Sequence, residues 1–236
     1  MQNYYSKKAT SNNMKLSPPQ FEQLLQTDRL ILSLVGMSNI GKTYWSKKLR
    51  HLGFKHINCD DLIEAKLKPI LNELGYTGLE DVSRWMGQPY DKRFATNQQQ
   101  YLHTERQVMG NIFSKISNDR QQNIVIDTTG SVIHTNKKIC EGLRRSSVVI
   151  YIKATKSMQE EMFKQYLKEP KPVVFGDIYY PHDNETAMQT LSRCYQELLN
   201  FRSTLYATYA DVVIPRQDIN KNMNAPQFIS LIKQSL

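Results

Sequence analysis

The residues Gly36-Met37-Ser38-Asn39-Ile40-Gly41-Lys42-Thr43 place four residues between two glycines and follow the second with a lysine and a hydroxyl. This is the G-x-x-x-x-G-K-[ST] spacing, in which backbone N–H groups wrap a phosphate and the following helix N-terminus adds a favourable dipole. The chemistry expected is capture of a nucleotide phosphate chain. Lys42 would reach the β- and γ-phosphates and Thr43 would hold magnesium. The nucleotide-facing positions are Gly36, Ser38, Asn39, Ile40 and Gly41, continuing through Lys42 and Thr43 to Tyr44.

Three further groups could complete a reaction. Asn58-Cys59-Asp60-Asp61 ends a second apolar run, taken to lie beside the first, so a carboxylate there would face the terminal phosphate and orient or deprotonate a hydroxyl. One of the two acids could instead cap the next helix; with two present both roles can be filled, and Asp60 is assigned the chemistry. Ile124 to Asp127 ends in a second acid, placed to hold magnesium through water, and Gly130 in the Thr128–Ser131 turn permits close approach of a substrate. Lys171, in the poorly periodic Pro- and Gly-containing stretch after a helix, is the candidate cation of a lid over residues 164–185.

The elements that must position these groups alternate. Apolar runs at Leu30–Val35, Phe54–Asn58, Ile124–Ile126, Val148–Ile152 and Val212–Ile214 read as strands. Between them lie helical patterns at Tyr44–Leu52, through Leu62, Ile63, Leu67, Ile70 and Leu74, and through Tyr101, Val108, Met109, Ile112 and Ile116. Continuous apolar strands separated by helices predict an α/β domain, a parallel sheet of about five strands with helices on both faces. Residues 1–26 read as a flexible polar extension, 27–236 as the domain, and 75–95, with Gly75, Gly78, Gly87 and Pro89, as an irregular insertion near the substrate site.

Composition excludes several classes. With 236 residues, 40% apolar and 22% charged, the chain can bury a core. No apolar run is long enough for a membrane span, and no secretory apolar block opens the chain. The three cysteines, Cys59, Cys140 and Cys194, are scattered and odd in number, so reduced thiols and a cytoplasmic setting are expected. Six of the nine net positive charges fall in residues 1–50, where a tail and the phosphate loop account for them, which disfavours nucleic acid as a partner.

These residues resemble the shikimate kinases, within the wider group of small P-loop kinases. The resemblance spans roughly residues 29–215 and is closest at Leu34–Thr43, Leu52-Gly53-Phe54 and Asp60. It recurs at Arg202-Ser203-Thr204-Leu205-Tyr206 and Ala210-Asp211-Val212. It implies the P-loop kinase fold with a lid, and ATP-dependent transfer of the γ-phosphoryl group to a hydroxyl of a small polar, anionic metabolite. It also implies magnesium as cofactor, substrate-carboxylate binding by Arg202, substrate-hydroxyl contact by Asp60, and a lid cation at Lys171. The chain departs from the family pattern where Asn58 replaces an acid, where Leu102 replaces a carboxylate-binding arginine, and where Thr129-Gly130-Ser131 replaces a three-glycine turn. Other readings are a nucleoside or nucleotide kinase, with a base stacked on Trp85 or Tyr90, and a catalytically inactive ATP-binding regulatory protein.

Overall fold

The computed structural model describes residues 16–76, 79–118, 121–169 and 171–236, without the side chains of residues 79 and 80. Five strands form one sheet: β1 (Ile31–Val35), β2 (Lys55–Asn58), β3 (Ile124–Asp127), β4 (Val148–Lys153) and β5 (Val212–Pro215). All neighbours are parallel, in the order β2-β3-β1-β4-β5. The central strands β1 and β3 are buried throughout, and the edge strand β2 is largely half-exposed. That gradient is why the inner strands read as unbroken apolar runs: helices cover both faces of the sheet. Because β3 lies between β1 and β2, the strand bearing Asn58 is not the neighbour of the phosphate-loop strand. The sequence cannot show this, since a crossover helix leaves the next strand free to skip a place.

The helices are α1 (Pro18–Gln26), α2 (Lys42–Arg50), α3 (Cys59–Glu73), α4 (Leu79–Met86), α5 (Phe94–Asn118), α6 (Lys137–Ser146), α7 (Lys156–Lys168), α8 (Ala187–Tyr209) and α9 (Ala225–Gln234). Two expectations are corrected. The flexible extension does not reach residue 26, because α1 carries a Ser17/Gln20 capping box, buries Phe21 and pairs Glu22 Oε2 with Lys233 Nζ of α9 at 2.8 Å. Residues 1–15 of that extension lie outside the described residues. The 75–95 stretch is not irregular throughout: α4 buries Val82, Trp85 and Met86. Gly78 is outside the described residues, as is Pro170.

The helix after β2 also differs in register from the expected pattern. Ile63, Leu67 and Leu71 face the core, whereas Leu62 and Leu74 are exposed. Its cap is Asn58, whose Oδ1 accepts from Asp60 N at 3.1 Å, so neither aspartate is spent on capping. Trp45 of α2 stacks on Phe228 of α9 with ring centroids 4.2 Å apart, seating the helix that starts at Lys42.

Candidate active site

The loop between β1 and α2 needs its first glycine. Gly36 has φ of 146°, and a Cβ there would stand 2.8 Å from the Ile152 carbonyl oxygen. The loop then ends at Gly41, the N-cap of α2, so the first N–H groups of α2 open onto the loop's concave side. Lys42 is buried and folded back, its Nζ donating to the carbonyls of Gly36 at 3.0 Å and Met37 at 2.9 Å. Burial lowers its pKa, and the charges of Asp127 and Asp60 act against that shift.

The loop separates two cavities. One, of about 560 Å³, is lined by Asn39, Gly41 and Tyr44 together with Met158, Met162 and Arg216. The other, of about 430 Å³, is lined by Ser38, Lys42, Thr43, Asp60, Gly130 and Lys171, with Tyr101 and Val82 at its wall. The structure brings the P-loop, Asp60, Gly130 and Lys171 together around this cavity. Although β2 is one strand removed, the first turn of α3 carries Asp60 back to the loop. Burial raises the Asp60 pKa, Lys42 draws it down, and Asp127 pushes it up.

Asp127 is buried at the end of β3. Its Oδ2 accepts no hydrogen bond among the described residues and lies 3.4 Å from His56 Nε2. Lys171 Nζ donates to Asn39 Oδ1 at 2.8 Å, and Asn39 Nδ2 donates to Gln165 Oε1 at 3.1 Å. A strap from α7 and the segment after it thus crosses the loop.

Arg202 is placed differently. It is buried, its Nε donating to His134 Nε2 at 3.1 Å and its Nη2 to the Val174 carbonyl at 2.8 Å. It lines a cavity of only about 30 Å³ beside Ser38 and Lys171, not the 430 Å³ cavity. His134 is held far below its ordinary pKa by burial and by the Arg202 charge, so a neutral ring accepts from the guanidinium. Gly130 is wedged in place: Tyr206 Oη donates to its carbonyl at 2.5 Å, and a Cβ on it would stand 2.9 Å from Ser38 Oγ.

Beneath that turn lies Glu105, fully buried, which accepts from Thr129 Oγ1 and, at 2.9 Å, from Ser131 Oγ. Burial pushes its pKa up to about 7, against the pull of those two hydroxyls. Its role as the strut of the Gly130 turn was missed in the sequence; the small hydroxyl residues flanking Gly130 were the available signal. Arg216, immediately after β5, was missed too. Trp85 is buried at 3% exposure, which corrects its assignment as a stacking platform, whereas Tyr90 is exposed.

No protein-family model and no curated protein matches this chain. Among solved structures, it resembles the shikimate kinase of Acinetobacter baumannii in complex with shikimate. The identity is 19% and the TM-score 0.52 over 89% of this chain and 94% of that one. It also resembles the shikimate kinase of Bacteroides thetaiotaomicron, with 14% identity and a TM-score of 0.53 over 87% of this chain and 97% of the other. At these identities the likeness is one of architecture, and the chain has the P-loop kinase fold that shikimate kinases share.

Proposed function

We propose that this protein is a cytoplasmic ATP-dependent kinase that transfers the γ-phosphoryl group to a hydroxyl of a small polar, anionic metabolite. The observation that carries the reading is the phosphate loop standing between two cavities, one large enough for a nucleoside and the other lined by Asp60, Asp61, Glu64 and two lysines. The nucleoside of ATP fits the 560 Å³ cavity against Tyr44, Met158, Met162 and Arg216. Its phosphates run over the loop amides towards Lys42. Acceptor and γ-phosphate meet in the 430 Å³ cavity, beside Asp60.

The acceptor oxygen attacks the γ-phosphorus, the bond from that phosphorus to the bridging oxygen breaks, and ADP departs with the electron pair. Asp60 takes the hydroxyl proton, and Lys42 and Lys171 offset the charge on the transferring group once they exchange loop oxygens for phosphate. The residues also fit magnesium. Thr43 presents an exposed hydroxyl at the loop, and the Asp127 oxygen without a hydrogen bond can meet an ion through water. Among the described residues no group of three or more His, Cys, Asp or Glu side chains could hold a metal ion. Held by Thr43 and, through water, by Asp127, a magnesium ion would supply charge neutralisation for the phosphate chain during transfer.

Among the described residues no helix is long and apolar enough to cross a membrane. Cys59, Cys140 and Cys194 are free and buried, in keeping with a reducing compartment. The test is ADP release from magnesium-ATP with a panel of hydroxy acids including shikimate, sugars, sugar phosphates and nucleosides, with Lys42→Ala as the blank. Stimulation by an anionic hydroxyl compound is the expected result. ATP binding with no stimulation by any acceptor would replace this reading with that of a regulatory ATP-binding protein, which Asn58 and Leu102 at family acid and arginine positions favour.

A further inference from the structure

We propose that a third cavity, between α4 and the strap, binds an oxyanion carried by the acceptor at a distance from its reacting hydroxyl. The acceptor's identity as a phosphoryl acceptor rests on the kinase reading; the anion site rests on its own geometry. The cavity measures about 690 Å³ and shares Lys171 and Pro172 with the 430 Å³ cavity, so a ligand in one can extend into the other past Lys171. Arg84, Arg93 and Lys171 line it, against Asp91 and Glu169.

The carboxylates are the weaker side of that balance. Asp91 Oδ2 accepts from the Gln88 N–H at 2.7 Å, which fixes the turn after α4. Glu169 is exposed, so water screens its charge. Arg84 donates from Nη1 to Asp81 Oδ1 at 3.1 Å while its side chain remains 71% exposed, leaving donors for a ligand. The Arg93 guanidinium has no partner among the described residues. The backbone that carries both arginines is anchored by buried neighbours, Val82, Trp85 and Met86 of α4 beside Arg84 and Phe94 at the start of α5 beside Arg93. A guanidinium pair on anchored backbone suits the forked recognition of phosphate or carboxylate.

The two family positions offer less to an anion. Leu102 has no charge and packs against the core, and Arg202 spends Nε and Nη2 on His134 and Val174 and lines the 30 Å³ cavity rather than the three larger ones. An anionic acceptor therefore meets exposed guanidinium donors at Arg84 and Arg93 rather than at the two positions where the shikimate kinase pattern puts its cations.

The experiment is equilibrium dialysis of radiolabelled orthophosphate, and separately of malonate, against the full chain saturated with magnesium and a non-hydrolysable ATP analogue that fills the γ-phosphate position. Binding of either anion, weakened about tenfold or more in Arg84→Gln/Arg93→Gln while analogue binding persists, is the expected result. Which anion binds names the acceptor class. No binding of either anion, or binding that the double substitution leaves unchanged, overturns the proposal. Transfer to no acceptor at all would overturn the kinase reading instead, and this measurement would still decide the anion site.

Discussion

Asp60 and Glu105 are a half-buried and a buried carboxylate with opposite tasks, and their surroundings separate them. Asp60 faces Lys42 in an open cavity, where it can be ionised and accept a proton; Asp60→Asn is expected to lower kcat roughly 100-fold or more with nucleotide binding retained. A kcat within a few-fold of the parent protein would remove Asp60 from the chemistry. Glu105 has no cation partner and holds its proton to about pH 7, whereas an unfolded chain loses it near the ordinary value of 4.5. Between those values the unfolded state binds fewer protons than the folded one, so stability falls as pH rises through this window. Glu105→Gln keeps a group able to pair with Thr129 and Ser131 and removes the titration. Urea midpoints should therefore fall from pH 5 to pH 8 more steeply in the parent protein than in Glu105→Gln. Parallel curves would show that the Glu105 proton does not couple to folding.

At the scale of elements, the cap of α3 decides where Asp60 points. Asn58 Oδ1 holds the Asp60 N–H, so Asn58→Ala should cost about 1 kcal/mol of stability and also lower kcat, whereas Asn58→Asp keeps the cap and should preserve both. Denaturant unfolding beside steady-state rates checks this, and a rate unmoved by Asn58→Ala would detach the cap from catalysis. The strands were legible because buried parallel strands leave unbroken apolar runs, and the P-loop because its glycines and lysine are local in sequence. Helix α1 was not, since nine residues around one buried side chain, Phe21, carry no periodicity that stands out from a polar tail. Phe21→Ala should accordingly destabilise the fold by about 3 kcal/mol, read from its urea midpoint; a loss under about 1 kcal/mol would mean that α1 is not docked as described. Helix α4 was masked by the glycines and proline around it. The partners of Arg202 were invisible because His134 and Val174 lie 68 and 28 residues away.

For the whole molecule, the five parallel strands bring the phosphate loop, Asp60, Asp127 and the Gly130 turn to one end of the sheet, and three cavities follow one another around it. Nucleotide bound in the proposed cavity would touch the phosphate loop, α2, α7 and the segment after β5, which are far apart in the chain and adjacent only when it is folded. Binding must therefore stabilise the folded state by mass action, by about 2.7 kcal/mol at a hundredfold excess over Kd. For a domain of this size each kcal/mol raises Tm by about 2–4 °C, so magnesium-ATP analogue should raise it by roughly 5–10 °C. Lys42→Ala, compared with its own ligand-free Tm, should lose most of that shift, because the ammonium that exchanges loop carbonyls for phosphate is gone. Arg84→Gln/Arg93→Gln should keep the shift, since those arginines stand two cavities away from the nucleoside. Scanning calorimetry of the three proteins separates the possibilities. No shift in the parent protein would mean that the loop does not take nucleotide, and an undiminished shift in Lys42→Ala would place the nucleotide away from the loop.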